Sequence, residues 1–155
     1  MQNKKVVITG GAGFIGSSLA HELVDDNIVI IIDDLSTGKR ANISELTNRE
    51  NVNFMQASIL NHDLLHDACR NVDFVFHQAA IASVPRSIED PYSTNEVNIT
   101  GTLNVLMAAR ANGVKKVVFA SSSAIYGNNP TLPKKESMTP EPQSPYAITK
   151  LAGEY

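Results

Sequence analysis

Short runs of aliphatic residues alternate along the chain with longer stretches in which hydrophobic residues recur at helical spacing. Residues 28–32 are apolar at every position, which is typical of a strand covered on both faces of a parallel sheet. Ile15, Leu19 and Leu23 recur at four-residue intervals and predict an apolar helical stripe after the first strand. The pattern predicts strands at residues 4–9, 28–33, 52–56, 73–77 and 116–120, and further helices at 61–70 and 95–111.

The alternation of strands and helices predicts an α/β fold with a parallel sheet and right-handed crossovers. Residues 128–144 break this alternation, because they combine several prolines with charged residues and predict a long loop. Pro145, which follows, suits the first turn of a helix. Since that predicted helix reaches the last residue of the sequence, we expect residues 1–155 to be one domain of a longer protein.

The composition of the chain narrows the classes of function. With 13 basic and 16 acidic residues the formal net charge is −3, which argues against binding nucleic acid through its phosphates. Cys69 is the only cysteine, so an internal disulfide is impossible and a reducing compartment is indicated. Because no apolar run reaches the roughly 18 residues of a membrane span, we expect a cytoplasmic protein without membrane contact. His62 and His66 have the spacing of metal ligands, but no third ligand accompanies them, so no metal site is predicted.

A glycine-rich turn, TGGAGFIG, lies between the first predicted strand and the first helix. In dinucleotide-binding turns the first glycine permits the sharp bend, the second the approach of a pyrophosphate, and the third tight packing of helix on sheet. The N-terminus of the helix adds unpaired N–H groups and the positive end of a dipole. Gly10, Gly13 and Gly16 therefore predict a dinucleotide site, with the first two glycines one residue further apart than in the common fingerprint.

Asp33 ends the second predicted strand, roughly 20 residues after the glycine turn, where a carboxylate can hold the hydroxyls of the adenosine ribose. The same carboxylate would repel a 2′-phosphate, and Asp34 adds to this repulsion. The pattern therefore favours NAD over NADP, although Lys39 and Arg40 nearby leave NADP open. The structural alternative for Asp33 is a helix cap or a turn residue.

Tyr146 and Lys150 are four residues apart on the helix predicted after Pro145, so their side chains lie on one face. An ammonium group close to a phenol favours the phenolate, which makes the pair a candidate proton acceptor at neutral pH. Residues 121–123 are three serines that follow the fifth strand, at the sheet edge where parallel sheets bind ligands. Because of this placement we expect the hydroxyl of Ser122 to lie beside the phenol of Tyr146.

With these motifs and the segment HQAA at residues 77–80, the chain resembles the N-terminal part of the extended short-chain dehydrogenases/reductases, and among them the UDP-sugar 4-epimerases. The resemblance spans essentially all residues. It implies a Rossmann-like doubly wound sheet of strand order 3-2-1-4-5, bound NAD, and a C-terminal substrate domain absent from this sequence. It also implies a homodimer that uses the helix at 95–111 and the helix after Pro145.

The resemblance assigns the roles at the reacting centre. Tyr146 would be the acid/base, Lys150 would hold the nicotinamide ribose, and Ser122 would bind the oxygen on the reacting sugar carbon and relay its proton, with Ser123 assisting. Further contacts are implied to the cofactor by Gly10, Gly13, Phe14, Ile15, Gly16, Asp33, Asp34, Leu35, Ser36, Thr37, Gly38, Ser58, Ile59, Gln78, Ala79, Ala80 and Asn98, and to the substrate by Ser83 and Arg86. The run SVPRS at 83–87 resembles the subgroup that accepts N-acetylhexosamines; Arg86 would reach a diphosphate or lie in a solvated loop.

The implied reaction is the exchange of UDP-glucose with UDP-galactose, or of UDP-GlcNAc with UDP-GalNAc, through a 4-keto sugar. Dehydratases of this family carry Asp-Glu where this chain has Ser123 and Ala124, and glucuronate decarboxylases carry Glu at the second of these positions. A reductase or a glucuronate 4-epimerase remains an alternative, as does a non-catalytic NAD-binding module. We expect the 155-residue chain alone to be inactive.

Overall fold

A computed structural model describes all residues, Met1–Tyr155. The chain forms two compact units, which are described separately. The first comprises Met1–Ala79 and Thr102–Ala120, and the second comprises Ala80–Gly101 and Ser121–Tyr155.

A five-stranded parallel sheet forms the centre of the first unit, in the order β3-β2-β1-β4-β5. Its strands are β1 (Lys5–Thr9), β2 (Ile28–Asp33), β3 (Val52–Gln56), β4 (Phe74–His77) and β5 (Lys116–Phe119). All five predicted strands are present, and the predicted order 3-2-1-4-5 of a Rossmann-like α/β fold is confirmed. In the register of the sheet Thr9 pairs with both Ile32 and His77, so the ends of the three central strands lie level beside the glycine turn.

Helices α1 (Phe14–Leu23), α2 (His62–Ala68) and α5 (Gly101–Ala111, in this unit from Thr102) complete the first unit, with a 3₁₀ turn at Arg40–Ile43. The core contains the central strands, as their unbroken apolar sequences predict, and Leu19 and Leu23 of α1 pack against it. The predicted stripe on α1 is wrong at one position, because Ile15 is 59% exposed. A four-residue repeat fits a helical face but does not say how far the partner surface extends along it.

The second unit contains short helices α3 (Val84–Glu89) and α4 (Pro91–Asn95), a π-helical segment (Glu96–Thr100), a 3₁₀ turn (Ser123–Tyr126) and helix α6 (Pro145–Glu154). Residues 128–144 form no helix or strand, as predicted. The predicted helix at 95–111 is helical throughout and ends at Ala111, but the helical region begins earlier, at Pro91, and Glu96–Thr100 is π-helical. Helix α3 was not predicted; the side chain of Ser83 caps it by accepting the amide of Arg86, so the alternative of a loop around Arg86 is wrong.

Candidate active site

The glycine turn between β1 and α1 has the tight geometry that its sequence predicts. Gly10 has a φ of +68°, and a Cβ added there would lie 2.6 Å from the backbone nitrogen of Ala79. Glycine therefore lets this turn approach the segment after β4, which holds Gln78 and Ala79. Gly13 occupies the N-cap of α1 without a side chain to fill the space before the helix. These features suit a cradle for a pyrophosphate at the start of α1.

Asp33, at the end of β2, is fixed beside this turn. Its Oδ2 accepts a hydrogen bond from the amide of Ala12 at 2.9 Å, and its Oδ1 accepts one from the amide of Leu35 at 2.8 Å. The residue is 8% exposed. Since each carboxylate oxygen can accept more than one hydrogen bond, the carboxylate retains capacity for ribose hydroxyls. Of the two structural alternatives, a helix cap or a turn residue, the turn role is also present, because the Asp33 side chain closes a turn at Leu35.

Gly38 lies against this carboxylate. A Cβ added to Gly38 would lie 2.6 Å from Oδ1 and 2.8 Å from Oδ2 of Asp33. Its backbone is outside the positive-φ region, so the contact with Asp33, and not backbone strain, is what requires glycine. Asp33 cannot retreat without losing a backbone hydrogen bond to Ala12 or Leu35.

We therefore expect Gly38→Ala to lower the free energy of unfolding by about 1–2 kcal/mol, the usual scale for a disturbed hydrogen bond to a charged group. In an Asp33→Ala background the added methyl meets no carboxylate, so Gly38→Ala is expected to be neutral or slightly stabilising there. Urea unfolding of the two single variants and the double variant measures the coupling. Equal effects of Gly38→Ala in both backgrounds would contradict the contact as its cause.

The remaining predicted cofactor residues of this unit lie on the surrounding loops. Phe14 and Ile15, at the first turn of α1, are exposed, and the Oγ of Ser58 accepts the amide of Leu60 in a local turn. The loop after β2 contains the predicted residues Asp34, Leu35, Ser36, Thr37 and Gly38, and the loop after β3 contains Ser58 and Ile59. Gln78 and Ala79 follow β4 directly.

His77, the last residue of β4, is buried and hydrogen-bonded. Its Nδ1 lies 2.6 Å from Oγ1 of Thr9, and its Nε2 lies 2.9 Å from Oγ1 of Thr102. Phe119 of β5 packs beside the imidazole, with ring centroids 5.7 Å apart. The imidazole thereby contacts residues of β1, β5 and α5 from its own place at the end of β4, next to the predicted dinucleotide site. Neither threonine was predicted as its partner.

In the second unit, helix α6 carries Tyr146 and Lys150. Pro145 occupies its first position and the side chain of Ser144 caps it by accepting the amide of Ala147. Lys150 is 4% exposed, and burial lowers the pKa of its ammonium group from the ordinary 10.5 to about 8. Tyr146 one turn earlier is partly exposed. A desolvated cation one helical turn from a partly exposed tyrosine is an arrangement suited to proton transfer.

The serine run lies in the same unit as α6. Ser122 caps the 3₁₀ turn Ser123–Tyr126, and its Oγ accepts the amide of Ala124 at 3.2 Å. Helix α6 packs against this turn, so the backbone that carries Ser122 and Ser123 neighbours the helix of Tyr146. The hydroxyl of Ser121 is hydrogen-bonded to the carboxylate of Glu154 at the end of α6.

Asn98, predicted to contact the cofactor, lies in the π-helical segment and is 2% exposed. Its side chain pairs with the backbone of Ile81 and donates to Oγ1 of Thr149. Thr149 was not predicted as a site residue, and in the sequence only its position next to Lys150 indicates it. The other predicted residues of this segment are Ala80, directly before Ile81, and two residues of the α3 region. Ser83 is the N-cap of α3, and Arg86 is exposed on this helix.

Among the His, Cys, Asp and Glu side chains, no group of three or more is placed to hold a metal ion. None of the helices combines the length and the apolar character that crossing a membrane requires. Burial raises the pKa of the lone thiol, Cys69, to about 11, which makes it a poor nucleophile.

Comparison with known proteins gives consistent matches. The sequence profile of the NAD dependent epimerase/dehydratase family matches residues 6–155. A UDP-glucose 4-epimerase from Mycolicibacterium smegmatis is 41% identical over 153 residues, which cover 97% of this chain and 49% of that protein. The solved structure of a UDP-N-acetylglucosamine 4-epimerase from Methanobrevibacter ruminantium, in complex with UDP-N-acetylmuramic acid, superposes with a TM-score of 0.95 at 46% identity, covering 99% of this chain and 49% of the other.

A third relative is named as a decarboxylase and not as a 4-epimerase. The UDP-N-acetyl-alpha-D-glucosaminuronate decarboxylase from Bacillus cytotoxicus is 45% identical over 125 residues, covering 80% of this chain and 38% of that protein. The chain thus spans about half the length of the curated relatives it matches.

Proposed function

Because the chain belongs to the NAD dependent epimerase/dehydratase family, we propose that it is the cofactor-binding half of an enzyme that epimerises a UDP-sugar at C4. The observation that carries the proposal is helix α6, on which the buried ammonium of Lys150 lies one turn from the accessible phenol of Tyr146. High identity to two 4-epimerases along almost the whole chain supports the choice of reaction.

The chain's own residues supply binding and proton transfer in this proposal. Asp33 accepts hydrogen bonds from the adenosine ribose, and the N-terminus of α1 faces the pyrophosphate. Tyr146 removes the proton of the C4 hydroxyl, and Ser122 holds the same oxygen. Lys150 binds the nicotinamide ribose. When bound, NAD supplies reversible hydride acceptance, so that hydrogen removed from C4 returns to the other face of the 4-keto sugar.

We propose UDP-GlcNAc and UDP-GalNAc as the preferred pair, with UDP-glucose and UDP-galactose as the second. Two observations support this preference: the run SVPRS at 83–87, and the high identity to a UDP-N-acetylglucosamine 4-epimerase. Arg86 is exposed in the last turn of the short helix α3, from which its guanidinium would reach a substrate diphosphate.

A homodimer is part of the same proposal. Helix α5 leaves three large apolar side chains exposed, Leu103, Leu106 and Met107, and helix α6 leaves Ile148 exposed. Such exposure on helices is typical of a surface that another protein covers. A second copy of the chain is the partner that the resemblance implies.

Decarboxylation is the second candidate reaction, supported by the relative from Bacillus cytotoxicus. It is the weaker one because Ala124 and Ser123 carry no carboxylate, whereas the family resemblance places a glutamate at position 124 in glucuronate decarboxylases. Release of CO₂ from a UDP-glucuronate would distinguish this reaction from epimerisation.

The test uses the full-length protein. We expect it to retain NAD through purification and to convert UDP-GlcNAc into a mixture with UDP-GalNAc, without net formation of NADH. The 155-residue chain alone is expected to epimerise nothing, because the proposed substrate half is missing. Mass spectrometry of the released cofactor and NMR of the sugar products measure both. Stoichiometric consumption of NAD, or absence of any C4 epimer, would overturn the proposed function.

A further inference from the structure

We propose that Thr149 is a positioning residue, whose hydroxyl joins Asn98 to the backbone of Tyr146 and thereby fixes the turn of α6 that carries Tyr146 and Lys150. The proposal rests on the proposed function and names a residue that acts through the acid/base without touching the sugar.

The hydroxyl of Thr149 is part of a directional chain of hydrogen bonds. It accepts from Nδ2 of Asn98 at 3.0 Å and donates to the backbone carbonyl of Tyr146 at 2.8 Å. A hydroxyl has one proton to give, so the acceptance from Asn98 and the donation to Tyr146 are compatible only in this order. Thr149 is 3% exposed, which keeps water from replacing either bond.

Asn98 is itself held rigidly, so it can serve as the fixed end of this chain. Its Oδ1 accepts the amide of Ile81 at 2.8 Å, while its Nδ2 donates to the carbonyl of Ile81 at 3.2 Å. This two-point pairing settles which side of the amide carries the nitrogen, because the flipped group would oppose donor to donor and acceptor to acceptor. The π-helical segment around Asn98 is a local widening of the helix, a feature often found at functional sites.

The carbonyl of Tyr146 is the acceptor that the α-helical pattern assigns to the amide of Lys150. The Thr149 hydroxyl therefore acts on the one turn that contains both members of the pair. Without it, the second Nδ2 hydrogen of Asn98 loses a buried acceptor, and α6 loses its hydrogen bond to the residue that pairs with Ile81, while its packing against α3 and α4 remains. A displacement of a catalytic group by about 1 Å is enough to lower a rate by about a hundredfold.

The hydrogen bond between Asn98 and Thr149 joins distant parts of the chain, so it can fix the placement of α6, which local structure does not determine. Asn98 is 17 residues from Ile81 and 51 residues from Thr149, and these three residues come from a loop, a π-helical segment and α6. A helix alone defines where Tyr146 lies relative to Lys150 but leaves its rotation and translation against neighbours free. The Asn98–Thr149 hydrogen bond removes that freedom at the turn where the chemistry takes place.

The experiment compares Thr149→Val and Thr149→Ser in the full-length protein. Valine keeps the shape and removes the hydroxyl, whereas serine keeps the hydroxyl. We expect Thr149→Val to lower kcat by about 10-fold to 100-fold with NAD content and KM for the UDP-sugar unchanged, and Thr149→Ser to stay within about twofold of the wild type. Amide hydrogen exchange along α6 provides a readout independent of activity, and it should be faster in the valine variant only.

Thr94→Val is the matched control. Thr94 is fully buried on α4, and its hydroxyl donates to the backbone carbonyl of Asp90 at 2.9 Å. The Thr94→Val variant therefore loses the same kind of hydrogen bond from a hydroxyl to a helix carbonyl, and we expect its kcat to equal that of the wild type. A similar loss in Thr94→Val would show a general effect of removing buried hydroxyls, and would overturn the positioning role.

The outcomes separate the two proposals. An inactive wild-type protein would overturn the proposed function. An active wild type with Thr149→Val at wild-type kcat, or with Thr149→Ser as slow as Thr149→Val, would overturn the role of Thr149 alone. If Thr149→Val does not fold, Thr149→Ala takes its place: a slow alanine variant beside a fast serine variant supports the role, and equal rates overturn it.

Discussion

Replacing Tyr146 by phenylalanine is expected to lower kcat of the proposed epimerase by about a thousandfold, because it removes the group that takes and returns the proton of the C4 hydroxyl. The substitution deletes one oxygen atom from a side chain that is only partly buried, so it leaves no cavity in the core. The capping of α6 by Ser144 and the burial of Ala147 do not depend on the phenol. Fold and retained NAD should therefore be those of the wild type.

Steady-state kinetics with UDP-GlcNAc and the NAD content of the purified variant measure this result. Tyr92→Phe is the matched control, since Tyr92 lies on α4 in the same compact unit with its side chain 88% exposed, and it should retain full activity. A Tyr146→Phe variant that keeps more than about a tenth of wild-type kcat would exclude Tyr146 as the acid/base, given the usual contribution of such a group.

Replacing Lys150 by methionine is expected to raise stability at neutral pH while it abolishes activity. Burial lowers the pKa of the Lys150 ammonium from 10.5 to about 8, so at pH 7 the native state must hold a charge in a place that disfavours it. The difference in pKa corresponds to about 3 kcal/mol of destabilisation. Methionine fills a similar volume without charge and removes this penalty, but it cannot bind a ribose hydroxyl.

The stability difference between Lys150→Met and the wild type should depend on pH in a specific way. Between a pKa of about 8 in the folded state and 10.5 in the unfolded state, the unfolded protein binds more protons at Lys150 than the native protein. The stability of the wild type should therefore rise with pH across this interval. Lys150→Met lacks this contribution, so its advantage is largest below about pH 8 and disappears above the unfolded pKa.

Urea unfolding at pH 7 and at pH 10 measures the difference between the two proteins. Lys135→Met is the control, because Lys135 is exposed in the loop 128–144 and should change the free energy of unfolding by less than about 0.5 kcal/mol at either pH. If Lys150→Met were less stable than the wild type at pH 7, interactions of the ammonium group would outweigh its desolvation, and the expectation would be wrong.

The strands were predictable because each is encoded locally. Residues 28–32 are apolar throughout, and a strand buried on both faces requires that pattern wherever it lies in a sheet. The helix of Tyr146 was predictable for a similar reason, since Pro145 fits its first position. Ile15 was mispredicted because periodicity identifies a face of α1 but not the length of the surface that covers it.

The amino-acid sequence alone specifies the parallel α/β sheet, the glycine turn before α1, the place of Asp33 at the end of β2, and the pairing of Tyr146 with Lys150 on one helical face. These features depend on residue type and on spacings within a few residues. The burial of Lys150, the position of Gly38 against the carboxylate of Asp33, and the hydrogen bond between Thr149 and Asn98 depend on how the folded chain packs. Asn98 and Thr149 are 51 residues apart, and the burial of Lys150 follows from desolvation and packing, which no local pattern specifies.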